Sequence, residues 1–264
     1  MTARHRLLVV ATALAFACAR QPPPAPPPAP HVVDLGHPLA DSDPSWTGEK
    51  VFTRTQAETI EADGYAGGWF ASDEHFGTHL DAPAHFAAGH WTVEQIPVDR
   101  LVRPGVCINI RPKIDQNVDY QLGLDDVKAF EARSGPVPQG AVVLVATGWD
   151  ERWSDPVRYM NLTGGVKHFP GISREAAAYL ASDRKIAGLG IDTPSVDYGP
   201  STKFETHHVT MLRNVYHVEN AANLSGLPAN GFTVLVAPIN LEGGSGGPTR
   251  IFALFDRASG GRNE

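Results

Sequence analysis

The stretch His75-Phe76-Gly77-Thr78-His79-Leu80-Asp81-Ala82-Pro83-Ala84-His85-Phe86 places three imidazoles and one carboxylate within eleven residues, at offsets 0, 4, 6 and 10. Residues four apart meet on one face of a helix, but Gly77 and Thr78 separate the first two histidines and Pro83 lies just beyond Asp81. The stretch therefore predicts a helical turn that runs into a loop or strand. Imidazole and carboxylate donors without thiolate suit Zn²⁺, Mn²⁺ or Fe²⁺ and leave a coordination position open; closed structural zinc sites more often use cysteine. An open position implies catalysis. The zinc-protease helix is excluded, because Phe76 stands where that motif needs a general-base glutamate. A lone histidine is usually an ordinary core or surface residue, but four donor groups at this spacing are poorly explained that way.

Outward from this stretch, short β-branched runs recur at residues 31–35, 106–110, 141–146, 186–191, 232–238 and 251–255 and read as strands. Ser173 ahead of Arg174 and Glu175 predicts a capped helix through 182. Further helices are expected at 124–133 and 207–212. Strands outnumber helices and no regular β-α alternation runs through the chain. The expected fold is mixed α/β, a partly closed sheet with flanking helices, and not a doubly wound one. The glycines at 243–247 lack the Lys-Ser/Thr of a phosphate loop and read as a tight connection between strands.

The chain's 264 residues, 42% apolar and 19% charged, exclude wholesale disorder and suffice for one large core. A net charge of −7 without any Lys/Arg cluster argues against nucleic acid as a partner. Arg4, His5 and Arg6 precede a predominantly apolar run at 7–17, too short to span a bilayer, and then Cys18. Residues 1–17 are expected to be a secretory signal peptide. The Ala15-Phe16-Ala17-Cys18 order is similar to a bacterial lipobox, so Cys18 is expected to carry a lipid anchor, the chain's sole contact with membrane. The polyproline stretch at 21–30 is expected to form an extended stalk, which would leave 31–264 as a single catalytic domain, expected in the periplasm or cell envelope. Cys107, the one other cysteine, reads as a buried strand residue.

The pattern HxGTHxDAPxHF at 75–86 resembles the signature of the cyclase family of metal-dependent amidohydrolases, which includes bacterial kynurenine formamidase and isatin hydrolase. The likeness extends over most of 31–255 and takes in DLGHPL at 34–39, TGWDERW at 147–153, HFPGIS at 168–173, GIDTPSVD at 190–197, ENAANLSGLP at 219–228 and GGSGGPTRI at 243–251. The last two segments and Phe76 resemble the isatin hydrolase branch more than the formamidases.

The resemblance implies a swivelling β/β/α-like fold and a metal site of His75, His79 and Asp81, completed by a distal histidine and by Glu219. A family interval of twelve residues before that glutamate points to His207. Its neighbour His208 competes, but consecutive imidazoles on a helix diverge by about a hundred degrees, so at most one faces the metal. His85 is implied as the acid-base catalyst, with a ligand role as the alternative. His217 shares a face with Glu219 if their strand is regular, and reads as a packed neutral histidine or a support for the ligands. The implied cofactor is Mn²⁺ or Zn²⁺, one or two ions per subunit, with Asp81 able to bridge. The implied chemistry is attack of a metal-activated water on a small-molecule amide, a lactam or imide like isatin. Alternatives are an arylformamidase and, in another class, a non-catalytic periplasmic metal-binding protein. Family members commonly associate, so a homo-oligomer is expected.

Trp149, Trp153, Phe76 and Trp69 are candidates for the wall of a flat aromatic substrate's pocket, against the plainer reading as core. Asp192 is expected to bind nearby backbone.

Overall fold

The computed structural model describes residues 30–255. The expected signal peptide, the anchor at Cys18 and nearly all of the proline-rich stalk lie outside the described residues.

Ten strands organise the chain: β1 (His31–Asp34), β2 (Phe52–Glu58), β3 (Gly67–Ser72), β4 (His79–Asp81), β5 (Val102–Asn109), β6 (Val142–Ala146), β7 (Gly188–Ile191), β8 (Tyr216–Glu219), β9 (Phe232–Pro238) and β10 (Gly246–Phe255). The main helices are α1 (Leu124–Ser134), α2 (Arg174–Ser182) and α3 (Glu205–Met211). Strands β5, β6, β7 and β8 run parallel, and β9, β10 and β4 continue the sheet antiparallel. The first residues of β10, Gly246 to Pro248, pair with β4, so seven strands close on themselves; β1 joins farther along the same edge of β10. The expected partial closure is thus complete.

Alternation along the strands builds two cores. On β6, Val142, Leu144 and Ala146 point into the ring with Leu80, Val218, Val234 and Ile251, while Val143 and Val145 point outward with Leu189 and Ile191. That outer layer is covered by Val127 and Phe130 of α1 and by Ala176, Ala177 and Leu180 of α2. Period-two direction change is why one strand feeds both layers, and each large side chain so buried contributes on the order of 1.5–3 kcal/mol. Ser173 caps α2 as expected, its hydroxyl accepting from the Ala176 N–H at 3.3 Å. Cys107 is buried inside the ring.

Two elements differ from the sequence reading. Gly246 and Gly247 belong to β10 and not to a connection. A Cβ on Gly246 would lie 2.5 Å from the His75 ring and 2.8 Å from the Leu80 carbonyl, so glycine is what lets β4 and the His75 loop approach. The β2–β3 hairpin was not foreseen. Its strands, FTRTQAE and GGWFAS, have no alternation to announce them, and both are mostly exposed.

Candidate metal centre

Register on the closing strands assembles the site. Strand β4 pairs antiparallel with β8 so that His79 stands opposite Glu219 and Asp81 opposite His217. Leu80 and Val218, the intervening residues, point into the ring. The period of two therefore sends all four donor-bearing side chains to the outer face, where α3 and the Ser195–Asp197 turn cover them. His79, Asp81, His207, His217 and Glu219 are all buried, whereas His208 is exposed. Of the two adjacent histidines the structure brings in His207.

Each imidazole is oriented by a hydrogen bond on its far nitrogen, the arrangement that fixes a ligand's tautomer. His79 donates Nδ1–H to the Gly77 carbonyl at 2.9 Å, leaving Nε2 3.1 Å from Asp81 Oδ1 and 3.6 Å from Glu219 Oε2. Gly77 adopts φ +64°, a left-handed conformation suited to glycine, and a Cβ there would run into Leu39. His207 donates Nδ1–H to Asp197 at 2.6 Å and turns Nε2 to Glu219 Oε1 at 3.4 Å and Asp81 Oδ2 at 3.6 Å. Asp197 is held in turn by the Thr206 and His207 N–H groups. His75 lies 2.6 Å from Asp81 Oδ1 through Nδ1 and donates Nε2–H to Ser245, whose hydroxyl donates to Glu74. Glu219 Oε1 accepts from the Val196 N–H at 2.8 Å.

The electrostatics are those of a site that gathers charge. Burial alone would lower the His79 pKa, but Asp81 and Glu219 outweigh it and raise it to about 9. Asp81 is held well below its ordinary value despite burial, because His79, His207 and His75 surround it. Burial, then the charge of Asp81, raises Glu219. Two buried atoms, Asp81 Oδ2 and His217 Nδ1, have no hydrogen-bond partner among the described residues. Both are acceptor positions that a cation would satisfy. The donors form two overlapping groups, His75/His79/Asp81 and Asp81/His207/His217/Glu219, each with its ligand atoms within 4.8 Å of one another. The residues present fit a divalent metal.

A cavity of about 340 Å³ opens onto the cluster. Trp46, Phe86, Phe204 and Met160 form its apolar walls, with Phe86 and Phe204 5.5 Å apart between ring centres. His85, on a 3₁₀ turn at Pro83–His85, stands in the pocket with its ring stacked on His75 at 3.9 Å. Partial desolvation and the neighbouring histidines lower its pKa to about 4, against the pull of Asp81. At neutral pH it is an uncharged base.

The plainer reading as core holds for Trp149 and Phe76, and none of the four aromatic candidates walls the pocket. Trp149 is buried and donates Nε1–H to the Tyr159 carbonyl, Trp153 stacks on His37, Phe76 packs on Phe52, and Trp69 lies exposed on the hairpin. None of them lines the cavity, because each is engaged elsewhere in the fold or exposed on the hairpin. Sequence reasoning also passed over Glu74, Asp197 and Ser245. Asp197 sits in the quoted GIDTPSVD segment and Ser245 in the glycine run, so both had a signal that was read differently. Asp192 accepts from the Thr147 and Gly148 N–H groups, the backbone role expected of it.

A closed mixed sheet carrying a buried imidazole-carboxylate cluster at the floor of an apolar pocket defines a metal-dependent hydrolase. The Cyclase family model matches residues 33–198. Isatin hydrolase of Roseibium aggregatum is 33% identical over 202 residues, covering 74% of this chain and 76% of that protein. Kynurenine formamidase of Salinibacter ruber is 23% identical over 226 residues, 83% of this chain and 95% of the relative. The solved isatin hydrolase A of Ralstonia solanacearum superposes with a TM-score of 0.80 at 32% identity, covering 86% of this chain and 92% of that one. The chain belongs to the Cyclase family. It is a metal-dependent amidohydrolase, and the reading as a non-catalytic metal-binding protein has no support.

Proposed function

We propose that the chain hydrolyses the carbon-nitrogen bond of a cyclic amide fused to an aromatic ring, a substrate like isatin. The observation that carries this reading is the cavity itself, in which aromatic walls at Trp46, Phe86 and Phe204 face a polar floor of donor groups, on a chain similar to isatin hydrolases. A flat bicyclic ring packs against such walls and presents its amide to the floor. His75, His79, Asp81, His207 and Glu219 are the proposed ligands of Mn²⁺ or Zn²⁺. Bound there, a divalent ion lowers the pKa of water and polarises a carbonyl oxygen. His85, uncharged and facing the pocket, takes a proton from the attacking water and delivers it to the departing nitrogen. The water oxygen bonds to the carbonyl carbon, the carbon-nitrogen bond breaks, and the product carries a carboxylate and an amine on one ring. His75 is kept in register by Ser245 and Glu74, and His207 by Asp197, so these three position ligands and touch no substrate.

Turnover of isatin, an N-formyl aromatic amine and a simple cyclic imide by purified protein loaded with Mn²⁺ or Zn²⁺ tests the reading. Isatin is expected to be hydrolysed fastest, and chelation is expected to abolish activity until either ion is restored. Preference for the N-formyl amine would make the protein an arylformamidase, and full activity in metal-free protein would remove the metal from the mechanism. The proposed setting is the cell envelope, on the strength of the signal-like residues 1–17 and the lipobox-like Cys18; labelled palmitate retained by wild type and lost in Cys18→Ala is the check.

A further inference from the structure

We propose that Asn220 is the residue that positions the His79 imidazole: its side-chain amide holds the Gly77 carbonyl on the His79 Nδ1–H, which keeps Nε2 turned to Asp81 and Glu219. Asn220 acts through that carbonyl and not on the substrate. The proposal rests on the metal-dependent reading of the site and is independent of which amide is hydrolysed.

His207 and His75 are oriented by side chains, those of Asp197 and Ser245. His79 depends instead on the backbone carbonyl of a glycine at φ +64°. Glycine visits several backbone conformations at little cost, so its carbonyl keeps one direction only if something else holds it. Asn220 holds it from both sides. Its Nδ2 lies 2.8 Å from the Gly77 oxygen, and its own backbone carbonyl accepts from the Thr78 hydroxyl at 2.6 Å, so the Gly77–Thr78 peptide is gripped at each end. Thr78 is fixed in turn by the His37 N–H, which donates to the same hydroxyl oxygen at 2.9 Å.

Counting donors fixes which way the amide faces. Asn220 Nδ2 and His79 Nδ1 stand 3.5 Å apart, and both reach the Gly77 oxygen, at 2.8 and 2.9 Å. A carbonyl only accepts, so each nitrogen brings a proton and the two together occupy its lone pairs. At the other end of the amide Oδ1 accepts from the buried Tyr159 hydroxyl at 2.8 Å. A reversed amide would set oxygen against oxygen at Gly77. The backbone selects the residue type as well. Asn220 lies at φ +53°, where glycine, asparagine and aspartate are the residues best tolerated. Glycine has no side chain to reach Gly77, and an ionised aspartate has no proton to donate. Asparagine alone of the three combines that backbone with the donor. The residue before it is Glu219, so the chain presents a proposed ligand and the support of another side by side. Asn220 also lines the cavity, and the test separates its hold on His79 from contact with substrate.

The test compares the full chain with Asn220→Gly, which keeps the left-handed backbone and deletes the amide. Zn²⁺ affinity is measured against a competing chelator at a temperature where circular dichroism shows both proteins folded, and exchange of the His79 Nδ1 proton is followed by NMR in the Zn²⁺-loaded state. The variant is expected to bind Zn²⁺ roughly 10–100-fold more weakly and to exchange that proton faster, with an unchanged KM for whichever amide wild type turns over. Wild type supplies a second check that needs no variant to fold: its Asn220 side-chain amide is expected to exchange slowly, as the His79 Nδ1 proton does. Unchanged Zn²⁺ affinity in Asn220→Gly overturns the proposal, even where thermal stability is lost, because a merely structural role has that outcome. A raised KM with metal binding intact overturns it and makes Asn220 a substrate contact. A freely exchanging Asn220 amide in wild type overturns it as well. Binding of no Zn²⁺ by wild type would overturn the metal reading itself along with it.

Discussion

His85 and His79 lie six residues apart in one motif and face different tasks. His79 is buried between Asp81 and Glu219 with its far nitrogen tied to Gly77, whereas the His85 ring stands in the pocket with no hydrogen bond to protein among the described residues. Replacing His79 or Glu219 by alanine should remove metal and activity together, which elemental analysis and an isatin assay read side by side. Replacing His85 by alanine should leave metal content and fold unchanged and lower kcat by roughly a hundred- to ten-thousand-fold. A His85→Ala protein as metal-free as His79→Ala would make His85 a ligand. At this scale the sequence was most informative, because donor types crowded into eleven residues are visible without a fold. Choosing His207 over His208 was different: helix geometry says only that one faces inward, and the packing of α3 on β8 says which.

Strand β10 and the α1–α2 pair show how elements carry the site. Gly246→Ala would put a methyl group against the His75 ring and the Leu80 carbonyl. That clash should cost about 1–3 kcal/mol of stability and loosen metal binding, measurable by denaturant unfolding and Zn²⁺ titration; a variant with unchanged affinity would show that His75 is not held by this contact. Glu131 of α1 accepts from Arg184 at 2.5 and 3.0 Å, from Tyr179 at 2.8 Å and from the Val137 N–H at 3.1 Å. Burial alone would raise its pKa, yet these donors bring it down to about 2 from an ordinary 4.5. A carboxylate so lowered contributes stability that is full above pH 4.5 and is lost as pH falls toward 2. Glu131→Gln should therefore destabilise the protein by about 1–2 kcal/mol at neutral pH, with the gap to wild type closing below pH 4.5. A gap independent of pH would assign the effect to packing. Helices α1 and α2 were legible from periodicity and capping; β10 was misread at its start because glycine is rare in strands except where another backbone approaches closely.

For the molecule as a whole, large aromatics stand exposed on the β2–β3 hairpin and beside the cavity. Tyr65, Trp69 and Phe70 on the hairpin and Trp46 beside the cavity mouth are each more than two-fifths exposed. We propose that a second copy of the chain covers the hairpin. Light scattering on residues 31–264 at micromolar concentration should return at least twice the chain mass, and Trp69→Lys with Phe70→Lys should shift it toward a monomer. A monomeric wild-type protein would overturn the proposal.

By itself the sequence determined that imidazole and carboxylate donors crowd into residues 75–85 and that strands dominate. These are local properties, set by spacing, period and capping within a few turns of chain. The tertiary structure alone decided that the sheet closes through β4 and β10, that Asp197 and Ser245 orient His207 and His75, that Trp46, Phe86 and Phe204 wall the pocket, and that His217 lies beside Asp81. Each of those depends on residues brought together from distant parts of the chain and on register between strands. No local pattern encodes such contacts, because only the register of the closed sheet determines which faces meet.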